Sequence, residues 1–172
     1  MYSRLLWQFL DPGGYVVSEN NLTASLAPNS GARETVLLFD KLDRGLPRSF
    51  PHNEQACCDA LFFYKRHLPS RDGSVLLFVE LKGVDVDHAI NQLKNTIKHV
   101  RTAMHVECQR MKVRIGAIVI TKGAAPPATD LRQHMKSFQD DLGAALWFEP
   151  ESLKKERPLR GYVDKFLAPK NH

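Results

Sequence analysis

Asp59, Glu80 and Lys82 are the residues whose types and spacing could do chemistry together. Asp59 lies in an aromatic run, Cys57-Cys58-Asp59-Ala60-Leu61-Phe62-Phe63-Tyr64, and Glu80 and Lys82 close a second run that starts at Ser74 and ends at Gly83. Side chains alternate across a strand, so Glu80 and Lys82 share one face while Leu81 turns to the core. Pro69, Ser70, Arg71, Asp72 and Gly73 are turn formers between the runs, which predicts an antiparallel hairpin with Asp59 at its open end, beside Glu80 and Lys82. Two carboxylates that close repel, and at neutral pH they need a shared proton or a cation between them. Magnesium suits the position, with manganese as a substitute: it takes oxygen ligands, keeps several waters and is commonly held by one or two carboxylates together with substrate phosphate. A lysine beside such an ion can orient a water or offset charge developing on a phosphoryl oxygen. The set fits phosphodiester hydrolysis.

The flanking segments supply the elements that must position these groups. Ile90, Leu93, Ile97, Val100 and Met104 step by three and four residues, predicting a helix over about 87–105 with Asp87 as its N-cap. Gln92 falls in its second turn, ten residues after Lys82, within reach of the hairpin's open end. The β-branched run over 112–120 predicts a strand returning parallel to the hairpin's second strand. A second helix is expected over 130–142, capped by Thr129 and ended by Gly143, then a last short strand over 144–148. Before the hairpin, 15–18 and 35–39 look like strands, 40–45 like a turn, and Asp40 is a further carboxylate that could join the site. The expected class is α/β, a mixed β-sheet flanked by helices in the order β-hairpin, helix, parallel strand, helix, strand. The 172 residues are expected to form a single domain, with a core at about 35–148 and a charged C-terminal segment over 149–172 in which Tyr162, Val163, Phe166 and Leu167 could dock a short helix.

Asp59, then Glu80-x-Lys82 on the next strand, then Gln92 on a following helix, resembles the PD-(D/E)xK nuclease superfamily of restriction endonucleases, RecB-like exonucleases and Holliday-junction resolvases. The resemblance covers 59–120, just over a third of the chain. It implies a restriction-endonuclease-like fold and a magnesium-dependent nuclease. Asp59 and Glu80 would be metal ligands, with the Leu81 carbonyl as a third, Lys82 the catalytic lysine and Gln92 a further site residue. The proline of the family's motif does not precede Asp59, and a preceding-helix glutamate found in some members has no clear counterpart: Glu54 falls in the loop entering the strand and Glu34 in a strand.

Charge agrees with an anionic partner in sign. The net charge is +5 and the basic residues are grouped: Lys94, Lys98 and Arg101 at helical spacing, Arg110, Lys112 and Arg114 alternating on a strand, and Lys154, Lys155, Arg157 and Arg160 near the end. Lys94, Lys98 and Lys122 are the expected substrate contacts, and the expected partner is nucleic acid, DNA first, with a homodimer or larger complex if both strands are cut. Three cysteines, two of them adjacent, argue for reduced thiols, and their spacing with the histidines gives no zinc site. The apolar start, Leu5 to Leu10, is too short for a membrane span, so a cytoplasmic location and no membrane partner are expected. Two other readings keep the same residues: a nuclease-like domain that binds nucleic acid or protein without cutting, and an α/β interaction protein in which Glu80 and Lys82 form only a surface ion pair.

Overall fold

The computed structural model describes residues 4–46, 56–67, 73–82, 85–105, 112–122, 127–150 and 156–168. Glu54, most of the hairpin turn, Gly83, Cys108, Arg110, Lys154 and Lys155 lie outside them. Short α1 (Arg4–Trp7) and β1 (Leu10–Asp11) precede a small hairpin, β2 (Val16–Glu19) and β3 (Leu22–Ser25). Then come β4 (Glu34–Phe39), α2 (Leu42–Gly45), β5 (Ala60–Arg66) and β6 (Gly73–Lys82), followed by α3 (Val86–Ala103), β7 (Arg114–Thr121), α4 (Ala128–Leu142), β8 (Ala145–Pro150), β9 (Glu156–Pro158) and α5 (Arg160–Leu167). Six strands form a mixed sheet in the order β1-β4-β5-β6-β7-β8, and β2, β3 and β9 form a second sheet.

The expected hairpin is there. β5 and β6 pair antiparallel from Ala60 opposite Val79 to Arg66 opposite Gly73. β6 then pairs parallel with β7, and β7 parallel with β8, across α3 and α4. Some boundaries differ. Asp59 sits one residue before its strand, on a bend. The cap of α3 is Asp85 rather than Asp87, its carboxylate accepting from the His88 N–H. Pro127 replaces Thr129 at the start of α4, whereas Gly143 does end that helix, in the left-handed conformation. The 40–45 segment expected as a turn contains α2, and β8 is followed by β9 rather than being the last strand. The β2–β3 connection is a tight turn in which Asn20 and Asn21 both have positive φ, the geometry of a two-residue type I′ hairpin that asparagine tolerates.

β6 is central, and Ser74 through Leu81 are all buried, so its residues read as a continuous apolar run rather than an alternation. The two faces nevertheless separate. Leu76 and Phe78 join Leu61, Phe63, Ala117 and Val119 under α3 and α4. Val75, Leu77, Val79 and Leu81 join Phe62, Tyr64, Ile118 and the small sheet with α5. Glu80 and Lys82 continue the first series, toward α3.

At the opposite end of the sheet from Glu80, the Glu34 carboxylate accepts hydrogen bonds from Tyr64 Oη at 2.7 Å and from both Arg160 terminal nitrogens at 3.1 and 2.9 Å. Burial acts to raise the Glu34 pKa, but these bonds and the Asn29 N–H outweigh it and hold the group below its ordinary value. Arg160 also lies over the Tyr64 ring, 5.1 Å from its centroid, which fastens α5 to the sheet. Arg160→Ala would strip the Glu34 side chain, only 4% exposed, of its two shortest charged contacts and leave it the Arg66 Nε at 3.9 Å. The expected cost is about 2–4 kcal/mol, readable as a lower urea midpoint.

Candidate acidic site

α3 grips both ends of the Cys57–Cys58 peptide group that leads into Asp59. Gln92 Nε2 donates to the Cys57 carbonyl at 2.9 Å, and the Cys58 N–H donates to Thr96 Oγ1 at 2.9 Å, whose hydroxyl in turn donates to the Gln92 carbonyl. On the other side the Leu42 N–H of α2 donates to the Asp59 carbonyl at 3.0 Å. The backbone at Asp59 is therefore clamped between α2 and α3. Carrying the β5–β6 register one step beyond Ala60 and Val79 sets Asp59 across from Glu80, and Asp59 Oδ2 accepts the Leu81 N–H at 2.6 Å.

The expected residues converge. Lys82 Nζ lies 3.7 Å from Glu80 Oε1 and donates to Gln92 Oε1 at 3.0 Å. Asp59 is 6% exposed, Glu80 1% and Gln92 7%, so Gln92 is a buried linker between Lys82 and the Cys57 peptide rather than a surface side chain. Leu81 faces the opposite core, while its peptide N–H serves Asp59. Lys122 stands at the same sheet end, its N–H bonded to the Lys82 carbonyl at 3.1 Å. Lys94 is turned to α4, donating to Asp141 at 2.8 Å and Ser137 at 3.0 Å, and exposed Lys98 adds to the field at Asp141. Those two lysines serve the α3–α4 contact.

Two carboxylates that the sequence reading did not single out act on the pair. Glu19, at the end of β2, hydrogen-bonds the Asp59 carboxyl, and its charge also reaches Glu80 and Asp43; Asp43, on α2, acts on Glu80. Asp40 instead receives the Lys41 N–H, and Glu34 is at the far end of the sheet. Burial is the main reason that Asp59 is pushed up to about 9, followed by the Glu80 charge and the Glu19 contact, against the Leu81 N–H. Burial likewise carries Glu80 to about 7, opposed first by Lys82 and assisted by Glu19 and Asp43. The pair thus keeps a proton at neutral pH. The neighbouring thiols are inert: Cys57 and Cys58 are buried and in no disulfide, and desolvation pushes Cys57 up to about 12.

Glu80 Oε2 is buried and has no hydrogen-bond partner among the described residues. A buried oxygen left unmatched is costly, and a hard cation is one way to satisfy it. Among the described residues no three His, Cys, Asp or Glu side chains are placed to hold a metal ion. The side chains would supply two carboxylates, leaving water, main chain or substrate to complete the coordination, which is how magnesium is commonly bound. The donor set fits.

No protein-family model matches the chain, and no curated protein matches it in sequence. Among the described residues no helix is long and apolar enough to cross a membrane.

Proposed function

We propose that this protein is a divalent-cation-dependent nuclease with a restriction-endonuclease-like core, hydrolysing phosphodiester bonds, of DNA first, at Asp59, Glu80 and Lys82. The observation that carries this reading is the buried Glu80 Oε2, without a hydrogen-bond partner among the described residues, on a carboxylate that stands beside Asp59 and whose other oxygen, Oε1, is 3.7 Å from Lys82 Nζ. Asp59 and Glu80 would hold magnesium, or manganese in its place, with the Leu81 carbonyl as the third protein oxygen. When bound, the cation supplies Lewis-acid polarisation of the phosphodiester.

The chain's own residues do the rest. Gln92 Oε1 fixes the Lys82 ammonium, so its remaining donors are directed rather than mobile, fit to orient a water and to offset charge on a phosphoryl oxygen. The bond from Gln92 Nε2 to the Cys57 carbonyl ties that lysine to the same peptide run that positions Asp59. The low solvent exposure of both acids strengthens every charge interaction at the site.

Labelled single- and double-stranded DNA incubated with the protein, with magnesium, with manganese and with chelator, tests the reading. Cleavage is expected only with the cations, and Lys82→Ala is expected to lower the rate about 10²–10³-fold. Cleavage that survives in chelator or in the alanine variant rejects it. Cation-dependent binding of DNA without cleavage would favour a non-cutting domain built on the same residues.

A further inference from the structure

A second charged region lies at the other end of the sheet. Arg101 near the end of α3, Arg114 at the start of β7 and Lys165 on α5 line a cleft of about 500 Å³ together with Gln139, and no carboxylate is among its described lining residues. Val75 pairs with Arg114 and Lys82 with Thr121. The cleft is therefore separated from the acidic site by most of the length of β6, about 23 Å at ~3.3 Å per residue.

The two guanidinium groups are held in place by main-chain carbonyls. Arg101 Nη1 donates to the Leu142 carbonyl at the end of α4, and Arg114 Nη1 donates to the Phe166 carbonyl at the end of α5. Capping helix C-termini is a sufficient structural task for an arginine, and the charge balance decides whether anything is left over. Each helix end carries about half a negative charge, so the ends of α3, α4 and α5 offset only about half of three full positive charges. A guanidinium has five N–H donors in a fixed fork, and one bond to a carbonyl leaves the others to a ligand while lowering the entropy lost on binding. The cleft has the volume of a small-molecule site.

We propose that this cleft binds a phosphate-bearing anion, independently of the acidic site. Arg101, Arg114 and Lys165 approach it from three elements, as a tetrahedral, multiply charged group requires. The shared chemistry is the phosphate oxyanion, whether of a free phosphorylated molecule or of a nucleic-acid backbone.

Calorimetric titration of the metal-free protein with inorganic pyrophosphate tests this without any cleavage. Single-site binding that weakens with added salt is expected, reduced about tenfold in Lys165→Gln. That variant leaves both carbonyl caps intact and removes only the contact of the Lys165 ammonium with the Tyr162 ring, 5.9 Å to its centroid, so at most a small fall in melting temperature should accompany the loss. Arg114→Gln/Lys165→Gln should lower the affinity further. In a parallel arm, a labelled oligothymidylate is displaced by pyrophosphate if the site takes a nucleic-acid backbone, and stays bound if it takes free phosphorylated molecules. No binding of pyrophosphate, or binding that both variants retain at full strength, overturns the proposal whatever the cleavage assay returns.

Discussion

Glu80→Gln is expected to abolish cleavage and, in chelator at alkaline pH, to make the protein more stable. Glu80 is 1% exposed, and one of its oxygens is buried without a partner. Its ion-pair partner, Lys82, is 3.7 Å away from the other oxygen and 27% exposed, so the compensation is incomplete. Asp59, Glu19 and Asp43 all add negative potential around it. Glutamine keeps the volume and removes the charge. The cost of ionising Glu80 in the fold, about 1.4 kcal/mol for each pH unit by which burial raises its pKa, then disappears at alkaline pH, and at this size each kcal/mol moves the melting temperature by about 2–4 °C. The cation then loses one of its two carboxylate ligands, so cleavage should fall by more than about 10³, and the melting-temperature gain produced by magnesium should vanish. A structural role for Glu80 gives the opposite pattern, with stability and activity falling together. A destabilised, still active Glu80→Gln protein would remove Glu80 from the site.

The central hairpin and the β6–α3–β7 crossover were legible because they rest on local signals: apolar runs of strand length, a three-and-four stepped stripe and turn formers between them. Glu80 and Lys82 are two apart on one strand, so their shared face follows from alternation alone. Asp59 could be placed beside them because a hairpin register links residues 21 positions apart. Glu19 carries no such signal. Asn20-Asn21 marks the tight turn beside it, but its reach to Asp59 depends on how the small sheet packs on the larger one, a contact between distant segments that no periodicity announces. Asp43 was hidden for a related reason, since α2 is one turn long and held in part by the Leu42 N–H bond to the Asp59 carbonyl. The basic groups were less informative than their spacing promised: Lys94 and Lys98 sit on one face of α3 as expected, yet Lys94 bonds Asp141 on α4 and Lys98 adds to the field there. Helical spacing fixes which residues share a face, not whether that face meets solvent, ligand or another helix.

The metal-free protein is expected to lose stability as pH rises through neutrality, and a divalent cation is expected to reverse the loss. In the unfolded chain Asp59 and Glu80 ionise near their ordinary values of 3.8 and 4.5, whereas in the fold burial carries them to about 9 and about 7. Between those limits the folded state binds more protons than the unfolded state, so the unfolding free energy falls as pH increases. The contribution is fully present below the unfolded values and is lost as pH climbs first through the Glu80 range and then through the Asp59 range, with a slope of about 1.4 kcal/mol per pH unit for each proton of difference. Glu34 acts in the other direction, because its lowered pKa makes its contribution disappear as pH falls, so the metal-free protein should be most stable on the mildly acidic side. A cation bound by the ionised pair replaces the protons that hold it together at lower pH. Magnesium at a hundred times its dissociation constant should therefore add about 2.7 kcal/mol, and more of that gain should appear at about pH 8.5 than at about pH 6, where protons compete for the same oxygens. Urea unfolding at the two pH values, in chelator and in magnesium, reads the proton and cation contributions of the Asp59–Glu80 pair. A metal-free midpoint that does not fall between them would mean that the acids are not held protonated by the fold, and a midpoint insensitive to magnesium at the higher pH would mean that Asp59 and Glu80 do not share a cation.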